Sequence, residues 1–123
     1  MSNRRQKLGR WGESVAADYL EEQGYRIVER NWRTARGEID LVAQAGDLLL
    51  FVEVKTRRGQ EAGTPEEALT RRKARKLFSL AQAYLYQRRL EDVEWRIDLV
   101  AVEVDSAGEL LRCEHVPNAV PTW

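Results

Sequence analysis

Cysteine and histidine are almost absent from this sequence: Cys113 and His115 are the only ones among 123 residues. One cysteine excludes an internal disulfide and a cysteine-rich zinc site, and one histidine excludes a multi-histidine metal centre. Long apolar runs are missing as well, and none approaches the ~20 residues that span a bilayer. The opening Met1-Ser2-Asn3-Arg4-Arg5-Gln6-Lys7 is basic but leads into no apolar segment, so it is not expected to be a secretory signal. A soluble, cytoplasmic protein is the expectation. Net charge is the last absence. The formal value is +0, which on its own argues against a polyanionic partner.

What is present changes that reading. Hydrophobic residues make up 43% and charged residues 33%, a globular balance. The length suits one domain over residues 1–123 with a modest core. The charges are unevenly placed: up to Lys76 there are 16 Lys/Arg against 12 Asp/Glu, and beyond it 4 against 8. A basic first part and an acidic remainder suit a phosphate backbone lying on one face.

The spacing of Leu8, Trp11, Val15, Tyr19 and Leu20 predicts an amphipathic helix over 8–22, with Gly24 just past its end. Strands are predicted over 25–32, 38–43 and 48–56, with Ala45-Gly46-Asp47 as the turn between the last two. The third is apolar almost throughout, as in a central strand covered on both faces. After a loop over 58–63, Thr64-Pro65-Glu66-Glu67 reads as a capping box that opens a helix running to about Arg89. Leu69, Lys73, Leu77, Leu80 and Tyr84 share one face of that helix. Strands over 95–104 and, more weakly, 110–116 follow. The order is α-β-β-β-α-β with one further strand. It predicts an α/β fold: an antiparallel meander, a helical crossover to a parallel strand, and a mixed sheet flanked by helices. Trp11, Trp32 and Trp95 read as core or interface residues, and Trp123 as a tail.

Two of these strands carry acids where an apolar strand does not favour them. Asp40 interrupts Ile39-Asp40-Leu41-Val42, and Glu53 interrupts Val52-Glu53-Val54-Lys55. Strand periodicity puts Glu53 and Lys55 on one face and Val52 and Val54 on the other. An unpaired carboxylate there is costly, so the charges must be paired or neutralised. A hard divalent cation, Mg²⁺ or Mn²⁺, accounts for them economically, with Asp40, Glu53 and the Val54 carbonyl as ligands. Such an ion polarises a phosphodiester oxygen and acidifies a water, while Lys55 holds that water or offsets charge on phosphorus. Taken singly, each residue is more easily an ordinary strand ion pair or a strand-end acid; taken together, they are much less easily explained so.

Glu38-Ile39-Asp40-Leu41, a Gly46-Asp47 turn and Phe51-Val52-Glu53-Val54-Lys55-Thr56-Arg57 resemble the PD-(D/E)xK nuclease superfamily, with Ile39 in place of the proline. The resemblance implies a restriction-endonuclease-like core over the single domain. Over nearly the full length the chain also resembles the YraN family, which is similar to archaeal Holliday-junction resolvases. Gly12-Glu13, Ala16-Ala17, Gly24-Tyr25, Asn31-Trp32-Arg33, Gly37-Glu38-Ile39-Asp40 and Arg96-Ile97-Asp98-Leu99-Val100 carry that likeness. It implies a further acid on the first helix, matched by Glu13, which would bind metal directly or through water and join Asp40, Glu53 and Lys55 in the catalytic set. It also implies branched DNA as substrate and a homodimer. Gln82 and Tyr86 resemble a Gln-x-x-x-Tyr element only loosely, and a core tyrosine beside an exposed glutamine reads better.

Among the basic residues, Arg57 and Arg58 follow the strand that carries Glu53. Arg71, Arg72, Lys73, Arg75 and Lys76 line the early part of the second helix, some of them facing solvent, and Arg33 extends the track. Arg57, Arg58, Lys73, Arg72, Lys76 and Arg33 are the candidates for phosphate contacts. Asp98 reads as structural, hydrogen-bonded or paired with a nearby arginine. The leading expectation is a Mg²⁺-dependent DNA endonuclease. A nucleic-acid-binding module with little intrinsic cleavage, and a scaffold protein that retains the fold, stay open beside it.

Overall fold

The computed structural model describes residues 4–59 and 63–120. Trp123 and the middle of the 58–63 loop lie outside the described residues. The elements are α1 (Arg4–Glu22), β1 (Arg26–Thr34), β2 (Gly37–Ala45), β3 (Leu48–Arg58), a 3₁₀ turn (Glu66–Ala68), α2 (Arg71–Gln87), β4 (Glu94–Val104) and β5 (Leu110–Val120). This is an α/β fold with a five-stranded mixed sheet, consistent with a restriction-endonuclease-like core.

Alternation of side chains decides how the layers meet. The strands lie in the order β1-β2-β3-β4-β5, antiparallel throughout except for the parallel β3–β4 pair. On one face Ala16, Ala17 and Leu20 of α1 pack on Leu41, Leu50, Val52, Val54, Val100 and Val102. On the other, Leu77, Leu80, Ala81 and Tyr84 of α2 pack on Val42, Leu49, Phe51 and Ile97. Apolar residues fill both faces of β3, which is why its sequence shows little alternation. Helix α1 stops at Gly24, whose φ of +98° suits a residue without a Cβ. There the Tyr25 N–H donates to the Leu20 carbonyl at 3.0 Å. Trp32 is buried and Trp95 half-buried, whereas Trp11 is 39% exposed.

The second helix begins later than its sequence suggests. The box does form: the Thr64 N–H donates to Glu67 Oε1 at 3.1 Å, and the Glu67 N–H to Thr64 Oγ1 at 3.3 Å. It closes only the 3₁₀ turn, because Leu69 leaves helical conformation at φ −86°, ψ 83°. Thr70 then caps α2, accepting the Lys73 N–H at 3.3 Å. Leu69, expected on the helix, still packs against the α2-side core from this extended position. Among the described residues, no helix is long and apolar enough to cross a membrane.

One departure from regular pairing positions the rest of the molecule. The β2–β3 ladder ends at Leu41 opposite Val52. Beyond that point Gly37–Asp40 pairs only with β1, and Glu53–Arg58 only with β4. The sheet therefore forks, and its two prongs carry the unusual acids.

Candidate functional site

Asp40 stands at the base of the fork. Its Oδ2 accepts the Val54 N–H at 2.8 Å, so a carboxylate takes the place that a strand carbonyl would fill. The side chain is deeply enclosed, at 8% exposure. Burial pushes its pKa from 3.8 up to about 9, with further upward pressure from the charge of Glu53 and a smaller one from Glu13, against the Val54 N–H. Without a cation Asp40 holds a proton at neutral pH. It is a group waiting for positive charge.

Glu13 reaches this point because Gly12 lets α1 come close. A Cβ on Gly12 would lie 1.9 Å from Thr56 Oγ1 and 3.0 Å from Thr56 Cβ, so only glycine permits the approach. Asn31 holds Glu13 from the other side, donating from Nδ2 to Oε1 at 2.9 Å. It sits opposite Asp40 in the β1–β2 register and adopts φ +51°, a left-handed conformation that asparagine tolerates better than most residues. Carboxylate oxygens of Glu13, Glu38 and Asp40 lie within 4.8 Å of one another. Glu38 joins because period-2 alternation puts it on the face of Asp40.

On the α2 side the fork opens into a cleft of about 180 Å³ lined by Glu38, Glu53, Lys55, Lys73, Lys76, Leu77 and Leu80. Lys55 Nζ lies 3.2 Å from Glu53 Oε2, and Glu53 also contacts Asp40. Lys76 crosses above Gly37, where a Cβ would meet its Cε at 2.7 Å. Lys73 is pushed below the usual lysine range by the charge of Lys55, then by burial. Arg57 adds a further positive charge beside it. Arg33 pairs with Glu38 at the outer lip. Arg58 and Arg72 are exposed and line no part of the cleft.

The structure thus brings Glu13, Asp40, Glu53, Lys55 and the Val54 backbone to one place, with Lys73, Lys76, Arg57 and Arg33 around it. Sequence reasoning missed Glu38 and Asn31 as members. The signal for Glu38 was its i−2 relation to Asp40, while Asn31 gave no signal without knowledge of the register. An all-oxygen set with one buried, mutually repelled carboxyl suits a hard divalent cation better than a soft one. Gln82 and Tyr86 are exposed, and Tyr84 is the core tyrosine. Asp98 is fully buried on the α1 face, away from the cleft. Burial pushes its carboxyl up, but His115 Nε2 at 2.6 Å, Arg96 Nε at 2.9 Å and the Asn118 N–H at 2.8 Å bring it below the ordinary value. It closes the β4–β5 bulge between Ile97 and Leu99.

Comparison with known proteins adds lineage to this geometry. The description "Uncharacterised protein family UPF0102" matches residues 12–102. A UPF0102 protein of Roseiflexus castenholzii is 45% identical over 121 residues, 98% of each chain. A UPF0102 protein of Syntrophotalea carbinolica is 47% identical over 119 residues, 97% of this chain and 95% of its own. One from Arthrobacter sp. is 50% identical over 109 residues, 89% of this chain and 92% of its own.

Proposed function

The chain belongs to the uncharacterised protein family UPF0102, and from that premise we propose that it is a divalent-metal-dependent DNA endonuclease. The observation that carries this reading is the fork, where Glu13, Glu38 and Asp40 converge beside the Glu53–Lys55 pair under a basic rim. Asp40, Glu53, Glu13 and the Val54 carbonyl would hold Mg²⁺ or Mn²⁺, with Glu38 as an additional donor. When bound, such an ion supplies Lewis acidity toward a phosphodiester oxygen and lowers the pKa of a water.

The chain's own residues do the rest. Lys55 orients the attacking water or offsets charge on phosphorus, and its pairing with Glu53 fixes the ammonium in the cleft. Asn31 keeps the Glu13 carboxylate turned toward Asp40. The rim cations Lys73, Lys76, Arg57 and Arg33 contact phosphates and position the duplex without reading its sequence. We place the activity in the cytoplasm and on branched DNA, with a homodimer presenting two sites to two strands.

The test is cleavage of branched, linear and single-stranded DNA by purified protein over a Mg²⁺ and Mn²⁺ titration. Asp40→Asn and Glu53→Gln should reduce cleavage to background, and Lys55→Ala should lower it by roughly 100-fold or more. Cleavage unchanged in Asp40→Asn would sink the proposal. The basic rim favours one second reading, a nucleic-acid-binding module with little cleavage. DNA binding that persists in EDTA, with no turnover in any metal, would select it.

A further inference from the structure

We propose that the outer face of α1 is the surface on which two copies of this chain pair, helix against helix and antiparallel. A pair of copies rests on the endonuclease reading for its biological meaning, but the surface stands on features away from the cleft. The first is an apolar line that the core does not use. Of Leu8, Trp11, Val15, Tyr19 and Leu20, whose period announces α1, only Leu20 is fully buried. The helix meets the sheet through Leu20, Ala16 and Ala17 instead. Arg4, Leu8, Trp11, Val15, Asp18 and Glu22 follow one another by alternate steps of four and three, the spacing of a seam between two helices. At about 100° per residue this seam runs nearly opposite Ala16, Ala17 and Leu20. Trp11, at its centre, is 39% exposed, and Leu8 and Val15 are half-buried. An indole left in water amid an apolar line is the kind of anchor that a protein partner covers.

The second is the order of charge along the seam, which decides the occupant. Arg4 and Lys7 precede the apolar centre, and Asp18 and Glu22 follow it, all four exposed. Among the described residues none of the four forms an ion pair. A two-fold axis between Trp11 and Val15 brings Arg4 to Glu22 of the second copy, and Trp11 to Val15 of the second copy. Each contact then occurs twice, as an isologous interface requires. Parallel pairing would instead set Arg4 against Arg4 and Glu22 against Glu22. An anionic lipid surface fits poorly, because the seam carries acids as well as cations. The edge strand β5 also exposes Leu110 and Leu111, but Pro117 and two irregularities in its pairing blunt it.

The third is size. Nineteen residues of helix offer a face of roughly 28 Å by 10 Å. That is well below the ~800 Å² that each partner of a standard interface buries, so the pair dissociates on dilution.

The experiment is sedimentation velocity on the full chain without metal or DNA, from about 1 μM to several hundred micromolar. The parent should pass from monomer to dimer across that range. Trp11→Glu should weaken the dimer by about 30-fold or more. Arg4→Glu and Glu22→Arg, each placing like charges together, should weaken it by about tenfold, and the double variant should return to within about threefold of the parent. Leu111→Glu, on β5, should leave it unchanged, and circular dichroism melts establish that every variant is folded. The seam is overturned if the parent stays monomeric throughout or if Trp11→Glu associates like the parent. It is equally overturned if Leu111→Glu dissociates the dimer, or if the double variant is no tighter than either single one. Association through the seam by a chain that cleaves no DNA would reject the endonuclease and keep the seam. Cleavage by a chain that is monomeric at every concentration would do the reverse.

Discussion

Asp40 concentrates the trade between function and stability at the scale of one residue. Its folded-state pKa is raised from 3.8 to about 9 by burial and by the charges of Glu53 and Glu13. The folded chain therefore holds this proton more tightly than the unfolded chain. The stability it contributes is fully present below pH 3.8 and is lost as pH rises through about 9. Asparagine keeps an acceptor for the Val54 N–H and removes the ionisation. In EDTA, Asp40→Asn should match the parent near pH 4 and exceed it progressively toward pH 9, by about 1 kcal/mol or more, roughly 4 °C in melting temperature. Mg²⁺ should reverse the order, raising the melting temperature of the parent and not of the variant. Thermal melts at three pH values with and without Mg²⁺ check both signs, and a variant destabilised in EDTA at pH 9 would contradict the account.

At the scale of elements, the approach of α1 to β3 is the contact on which Glu13 depends. Adding one methyl at Gly12 puts a carbon 1.9 Å from Thr56 Oγ1, so either the helix or the strand must move. Gly12→Ala should destabilise the fold by about 1–3 kcal/mol, as overpacking usually does, despite alanine's better helix propensity. Thr56→Ala should recover part of that loss in the double variant. On its own it should be close to neutral, since Thr56 Oγ1 is a buried hydroxyl without a partner among the described residues. Denaturant melts of the four proteins form the cycle, and a fully additive result would refute the steric link.

The same scale shows why part of this structure was legible in sequence. Strands β2 and β3 announced themselves by apolar runs, and α1 by its period and Gly24, because those signals are local. The start of α2 was not legible. Two threonines six residues apart, Thr64 and Thr70, each provide a good cap, and only packing of Leu69 in an extended conformation selects the second. Asp40, Glu53 and Lys55 stood out because charge is expensive in an apolar strand. Glu38 and Asn31 did not, since Glu38 opens β2 and Asn31 lies on the exposed edge strand β1, places where polar residues are ordinary. Their roles depend on where the β2–β3 ladder stops, a tertiary fact with no residue-level marker.

At the scale of the whole molecule, zero net charge conceals a charge axis along the strands. The fork end carries Lys55, Arg57, Arg58, Lys73 and Lys76, with Arg33 and Arg36 near the β1–β2 turn, around the carboxylates of Glu13, Glu38, Asp40 and Glu53. The opposite end holds Asp47 in the β2–β3 turn, Glu94 beside Leu48, and Glu21 and Glu22 where α1 finishes. Along β3, Lys55 stands seven residues from Leu48, roughly 23 Å at about 3.3 Å per residue. That is about two Debye lengths at about 0.1 M salt, so the acids of the far end are largely screened from the cations at the fork. If Lys55, Arg57, Lys73 and Lys76 contact three or four phosphates, log affinity for duplex DNA should fall against log salt with a slope of about −3. Neutralising the far end with Glu21→Gln and Glu22→Gln should leave that slope unchanged, although the net charge rises. Lys76→Met, at the fork, should reduce its magnitude by about one. Anisotropy titrations in EDTA from low to moderate salt measure all three slopes. Equal slopes for the Lys76 variant and the parent would show that the axis, however polar, is not what meets the backbone.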